Sequence, residues 1–295
     1  MGNRQHLFGT SGIRGIVNRD ISLDFCREVA LAMGTTLPQP STVCIATDTR
    51  ISKEVIKGAV VSGLLSCGIN VVDLGILPKV PPASISGLMG FDTGVMITAS
   101  HNPPEFNGIK LFTKNSLGYS QAQEAEIEKV YFAKKFRQGE MGTLEQAPNL
   151  KQKYFSFIKD KLPLSRFKHQ LKVVVDPGNG AASGFASDIF AQMGLNVISI
   201  NDVPDGLFPG RNPEPREDTL HSTIEFLKQQ KADLAVCFDG DADRVVFCDK
   251  EGFLGFNEPI AFISRLVARK TGKKKIATTV ETGKLLDLAV NDLGV

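Results

Sequence analysis

Short apolar runs alternate with stretches of helical spacing along this chain, and the alternation repeats. Val43-Cys44-Ile45-Ala46-Thr47-Asp48 is an apolar run of strand length, as expected of a strand covered on both faces. A helical stretch over 53–67 follows and stops at Gly68, where Ile69-Asn70-Val71-Val72 begins another strand. Glycine just past the last turn is a common helix stop. Lys172-Val173-Val174-Val175-Asp176 opens a second copy, whose helix ends in Met193-Gly194 and hands over to Leu195-Asn196-Val197-Ile198. Lys275-Ile276-Ala277-Thr278-Thr279-Val280 opens a third, with a helix near 283–292 and then Leu293-Gly294-Val295. Strands and helices alternating at this length predict right-handed βαβ units, hence an α/β protein of tandem domains with mixed, mostly parallel sheets.

The polar stretch around 133–153, with Lys134-Lys135, Gly139, Gly142 and Pro148, reads as the link between the first two units. A second boundary falls near 252–257. The expected domains are 1–148, 149–254 and 255–295, the last being only the beginning of a third domain, because the chain stops where its next strand is due. A sheet lacking strands presents an unpaired edge and apolar helix faces, which favours self-association or local disorder.

The densest chemistry lies in Asp239-Gly240-Asp241-Ala242-Asp243-Arg244, directly after the apolar run Leu234-Ala235-Val236-Cys237-Phe238. The motif therefore sits at the carboxyl end of a strand, where open α/β sheets place ligand sites. Like charges this close repel by roughly 4 kcal/mol per pair at about 4 Å and an effective dielectric of ~20. A cation resolves the conflict, and an all-oxygen set suits Mg²⁺ or Ca²⁺ rather than zinc. An EF-hand loop also opens D-x-D-x-D, but it needs glycine sixth and glutamate twelfth. Here those places hold Arg244 and Lys250, and a strand rather than a helix precedes them. An acidic surface turn is the plainer alternative.

Thr98-Ala99-Ser100-His101-Asn102-Pro103 also follows an apolar run, Gly94-Val95-Met96-Ile97, and Asn107-Gly108-Ile109-Lys110 comes soon after. A serine hydroxyl is a poor nucleophile unless a base or a neutralising charge assists it, and His101 and Lys110 are titratable neighbours. By itself Ser100 reads equally well as a turn or N-cap serine, and His101 as a structural hydrogen-bonder.

Taken together, T-A-S-H-N-P, N-G-I-K and D-G-D-A-D-R, with Phe8-Gly9-Thr10-Ser11-Gly12-Ile13-Arg14-Gly15 near the start, resemble the α-D-phosphohexomutases along essentially all 295 residues. That family includes phosphoglucomutase, phosphomannomutase and phosphoglucosamine mutase. The resemblance implies that Ser100 carries a transferable phosphate and that Asp239, Asp241 and Asp243 hold Mg²⁺, with the phosphate on Ser100 as a further ligand. It matches Arg244 to the arginine closing the metal loop and Arg14 to an active-site arginine. Lys110 and His101 match residues that handle protons or stabilise the phosphoryl group.

The implied reaction moves phosphate between C1 and C6 of a hexose phosphate through a bisphosphate, with a hexose 1,6-bisphosphate as activator. The family's G-E-x-S-G and R-x-S-G-T loops, which read sugar hydroxyls and grip substrate phosphate, do not occur in these residues. The fourth, phosphate-binding domain is therefore expected to be absent, with impaired turnover as the consequence. A non-catalytic phosphosugar-binding module and a slow phosphatase are the readings from other classes.

Composition narrows this little. At 295 residues and 42% hydrophobic the chain can bury more than one core. A formal charge of +2 argues for neither nucleic acid nor membrane. The start, Met1–His6, lacks an apolar signal segment, and no apolar run approaches membrane-spanning length. Five cysteines without a C-x-x-C pair read as reduced core residues, consistent with a cytoplasmic protein.

Overall fold

The computed structural model describes residues 6–79, 90–147, 149–161 and 171–295; Met1–Gln5 and Pro148, used above, lie outside these. The first unit is built on β1 (Ile13–Ile16), β2 (Thr42–Thr47), β3 (Asn70–Ile76), β4 (Thr93–Ile97), β5 (Phe106–Thr113) and β6 (Leu144–Gln146). They lie in the order β1-β5-β4-β2-β3-β6. The central pairs β4-β2 and β2-β3 are parallel, as is β3-β6 at the edge, whereas β5 runs antiparallel to both β4 and β1. Helices α1 (Leu23–Thr36), α2 (Lys53–Ser66) and α3 (Gln121–Ala133) accompany this sheet. Ser22 starts α1 by accepting the Phe25 amide at 3.1 Å, satisfying an amide that the helix cannot. Val29 and Met33 of α1 and Ile56, Val60 and Leu64 of α2 pack on Val43, Ile45, Val95 and Ile97 of the sheet. Each such fully buried aliphatic side chain contributes roughly 1.5–3 kcal/mol.

The second unit contains α4 (Asn149–Lys161), β7 (Lys172–Asp176), α5 (Ala186–Gln192), β8 (Asn196–Ser199), α6 (His221–Gln230), β9 (Leu234–Phe238) and β10 (Val245–Cys248). Its sheet runs β10-β9-β7-β8, with β9-β7 and β7-β8 parallel and β10-β9 antiparallel. Order and direction both match β5-β4-β2-β3 of the first sheet. The repeat seen in the sequence is thus a repeat of topology. The units also share a core. Cys44, Ala46, Val72, Leu74 and Met96, on the other side of the first sheet, meet Tyr154 of α4 and Phe185 and Ile189 around α5. The Tyr154 and Phe185 rings stack with centroids 5.6 Å apart.

Beyond these lie α7 (Asn257–Thr271) and α8 (Leu285–Val290), packed on one another. The strand expected at Lys275–Val280 does not form: the segment has no regular structure, and Ile276 and Val280 are exposed. A strand exists only within a ladder, and none of the described strands runs beside it. The stretch read as a polar link, conversely, contains β6, whose residues are all exposed and so carry no apolar signature.

Candidate active site

Ser100 lies in the turn from β4 to β5, and Asp239–Arg244 form the turn from β9 to β10. Topological equivalence gives each unit one such turn, and the two face each other. Ser100 Oγ donates to Asp239 Oδ2 at 2.8 Å, and the Arg244 Nη2 group donates to Ser100 Oγ at 3.3 Å. Gly240 is where the loops nearly touch: a Cβ there would stand 2.5 Å from the Ser100 carbonyl oxygen. Only glycine allows that approach.

Ser100 is buried with a left-handed φ of 55°, an uncommon conformation for serine that surrounding contacts must hold in place. Its amide donates to Thr98 Oγ1 at 2.8 Å, and that hydroxyl donates to Asp48 Oδ2 at 2.7 Å. Arg50, fully buried, pairs with the same Asp48 oxygen through Nε at 3.0 Å. Its Nη2 donates to the carbonyls of Ser100 (3.0 Å) and Asn102 (2.6 Å), and its Nη1 donates to those of Pro103 and Phe106. The loop therefore wraps around one guanidinium, whose planar fork supplies donors in a fixed geometry.

The acidic turn is held likewise. Arg211 pairs with Asp176, the last residue of β7, at 2.8 Å and donates through Nη2 to the Phe238 carbonyl at 2.7 Å. The Ala181 amide donates to the Gly240 carbonyl and the Lys79 amide to the Asp241 carbonyl. Each carboxylate of the turn faces its own cation. Asp239 meets Arg244 Nε at 3.1 Å, Asp241 meets Lys110 Nζ at 2.8 Å, and Asp243 meets Lys79 Nζ.

One oxygen from each of Asp239, Asp241 and Asp243 lies within 4.8 Å of the others. Asp241 Oδ1 is buried and has no hydrogen-bond partner among the described residues. An orphaned buried carboxylate oxygen is costly, and a cation accounts for it. Hard oxygen ligands converging from one turn fit Mg²⁺ or Ca²⁺. Burial, followed by the charges of Asp241 and Asp243, pushes the Asp239 carboxyl up to about 7. Burial also works against Asp241, but the Lys110 ammonium outweighs it and holds that carboxyl below its ordinary value. Burial lowers the pKa of Lys110, with Asp241 opposing, and lowers that of His101, with Arg244 adding to the effect.

The structure thus joins Ser100, Lys110, Asp239, Asp241, Asp243 and Arg244 in one contact network. Arg14 and His101 stand at its margin. Arg14 Nη1 donates to Asn102 Oδ1 at 3.2 Å, two residues on from Ser100 in the same turn. His101 Nδ1 is buried without a hydrogen-bond partner among the described residues. Sequence reasoning missed Asp48, Lys79, Arg50, Asp176 and Arg211. A signal existed for one pair: Asp48-Thr49-Arg50 follows an apolar strand, as the acidic motif does.

The chain is similar to known proteins over nearly its whole length. Residues 5–138 match the model for phosphoglucomutase/phosphomannomutase alpha/beta/alpha domain I, and residues 152–252 match that for domain II. The chain is 40% identical over 290 residues to a phosphoglucomutase/phosphomannomutase of Thermococcus kodakarensis, spanning 95% of this chain and 63% of that protein. It is 40% identical over 291 residues to a probable phosphoglucosamine mutase of Pyrococcus abyssi, spanning 97% of this chain and 63% of that protein. A crystal structure of a putative phosphomannomutase from Thermus thermophilus superposes with a TM-score of 0.87 at 28% identity, covering 97% of this chain and 67% of that one. The chain therefore spans about 63% of the length of these curated relatives.

Proposed function

Because this chain belongs to the phosphoglucomutase/phosphomannomutase family, we propose that it carries the phosphoserine and metal-binding portion of a phosphohexomutase acting on a hexose phosphate. The observation carrying this reading is the 2.8 Å contact between Ser100 Oγ and Asp239, made across two domains and under the Arg244 guanidinium. A hydroxyl in that position can hold a phosphoryl group within reach of both cationic and metal-binding side chains. In the forward step the bond between phosphorus and Ser100 Oγ breaks as phosphorus bonds to a free sugar hydroxyl. The hydroxyl proton passes to His101 or Lys110, and burial shifts both toward the neutral, proton-accepting form. The bisphosphate then reorients, and its other phosphate returns to Ser100 Oγ with the proton moving back. Arg14 and Arg244 hold negative charge beside the transferring group. Asp239, Asp241 and Asp243, with the Ser100 phosphate, would hold Mg²⁺, which supplies neutralisation of the phosphoryl oxygens.

The relatives' names make glucose, mannose and glucosamine phosphates the candidate substrates. A hexose 1,6-bisphosphate is the proposed activator, and a cytoplasmic setting suits five buried free thiols. No helix among the described residues is long and apolar enough to cross a membrane. We expect phosphate exchange at Ser100 with a hexose bisphosphate, the step that needs only the phosphoserine and the acidic turn. Exposed Phe262, Ile263, Leu266 and Val267 on α7 favour self-association.

Intact mass before and after incubation with glucose 1,6-bisphosphate tests the core of the proposal. Wild type should gain one phosphate, mapped to Ser100, and Ser100→Ala should gain none. Equal labelling of the variant, or an unlabelled wild type, overturns it.

A further inference from the structure

The three cations paired with the acidic turn are held differently. Arg244 also reaches Ser100 Oγ and approaches Glu214, and Lys110 is almost wholly buried on β5. Lys79 differs from both. It follows β3, and its chain is fixed at two points: Leu77 N donates to the Thr47 carbonyl in the first sheet, and Lys79 N donates to the Asp241 carbonyl at 2.7 Å. Its side chain pairs with Asp243 Oδ2, and both side chains keep about a fifth of their surface in water, at 21% and 22%. The first unit therefore delivers an ammonium group to the outer carboxylate of a turn on the second, with the main chain pinned and the side-chain pair partly in water.

We propose that Lys79 is a built-in counter-ion of the acidic turn, competing with a divalent cation for Asp243. This rests on reading the turn as a metal site. The oxygens differ in how readily they can be surrendered. Asp241 Oδ1 has no partner among the described residues, so it accepts a cation without breaking the Lys110 pair, which uses Oδ2. Asp243 Oδ2 is already taken by Lys79, so ligation there displaces the ammonium. That displacement costs little, because lysine is a flexible and strongly hydrated point charge and the pair is already partly in water. A retained ammonium would instead repel the incoming ion, since its charge also bears on Asp241 and Lys110. Without a metal, Lys79 offsets the repulsion among three carboxylates; with one, it is redundant. Lys79 so sets the divalent-ion concentration at which the site fills.

Calorimetric titration of MgCl₂ into wild type, Lys79→Met and Lys79→Arg decides this. Lys79→Met should bind Mg²⁺ on the order of tenfold more tightly, a figure set by losing one partly screened charge. Lys79→Arg should stay near wild type. Without Mg²⁺, Lys79→Met should melt at a lower temperature than wild type, and saturating Mg²⁺ should close that gap. Equal or weaker binding by Lys79→Met overturns the counter-ion role while leaving the metal site standing. Binding by neither protein overturns both. Should Lys79→Met fail to fold, the wild type carrying ¹³C-methylated lysines gives the answer by NMR, with Lys79→Arg identifying the signal. Mg²⁺ should move the Lys79 resonance to the position of a freely hydrated lysine, and an unmoved resonance overturns the proposal.

Discussion

Arg50 and Arg211 hold the two halves of the site in the same way. Each is buried, and each pairs with an aspartate at the carboxyl end of a central parallel strand, Asp48 after β2 and Asp176 closing β7. Arg50 then donates to the carbonyl of Ser100 at 3.0 Å, and Arg211 to that of Phe238, the residue before Asp239, at 2.7 Å. The carboxylate fixes the guanidinium, and the guanidinium fixes the neighbouring turn. Main-chain carbonyls that would otherwise be orphaned inside the protein gain donors, so the unusual backbone at Ser100 is held from within.

Breaking such a pair leaves a buried charge without a partner. Arg50→Met should therefore cost about 3–5 kcal/mol of stability, measured by urea unfolding. Arg50→Lys keeps the charge but loses the fork, and should fall between wild type and Arg50→Met. A loss below about 1 kcal/mol for Arg50→Met, the scale of an exposed ion pair, would show that the loop does not depend on it.

Gly240→Ala places a methyl group where the Ser100 carbonyl now stands, 2.5 Å from the ideal Cβ position. The two turns must separate by a large fraction of an ångström, whereas the sheets that carry them are untouched. Displacements near 1 Å can cost about 100-fold in rate. Phosphate uptake from glucose 1,6-bisphosphate should slow by that order, with the circular-dichroism spectrum unchanged. Uptake at the wild-type rate would mean that close approach of the loops is dispensable.

Glu128 of α3 ties down the segment leading to Arg14, accepting the amides of Leu7 at 2.6 Å and Phe8 at 3.1 Å. Burial works against its charge, but those amides and His6 outweigh it, so the folded-state pKa lies below the ordinary 4.5. A depressed carboxyl pKa stabilises the fold fully above the unfolded value, and the gain disappears as pH falls through the folded value. Hydrogen exchange at Leu7 and Phe8, corrected for intrinsic rates, should show strong protection at about pH 7 that is lost only as pH falls below the ordinary carboxyl range, through the depressed folded-state value. Glu128→Ala should lack protection throughout. PH-independent protection in wild type would remove Glu128 from this role.

Residues 257–295 should exchange fastest among the described elements. On α7 only Ala261 and Ala268 are buried, while Phe262, Ile263, Leu266 and Val267 face water. Few buried apolar contacts mean a low free energy of local opening. Protection across α7 equal to that of β2 or β7 would refute this.

Elements whose signal is local could be read from sequence: the repeated strand–helix–glycine pattern and the acidic, serine and lysine motifs each lie within a few residues. The structure brings these motifs into contact because the second sheet repeats the topology of the first. Long-range determinants could not be read. Arg50 lies beside Asp48 in sequence, but the carbonyls it serves lie about fifty residues away, and an isolated arginine in a turn resembles a surface residue. Lys79 and Asp243 are 164 positions apart. The Lys275–Val280 run is apolar enough for a strand, yet strand formation depends on a neighbour that the run itself cannot specify. Leu144-Glu145-Gln146 shows the reverse, becoming a strand through its pairing with β3 alone.

The packing of Tyr154, Phe185 and Ile189 against Cys44, Ala46 and Met96 ties the fate of one repeat to that of the other. Unfolding either one strips an apolar face from its companion, so half-folded forms are penalised by the same burial that stabilises the whole. The shared core thereby holds the two turns in register, so loss of either unit dismantles the site that both build.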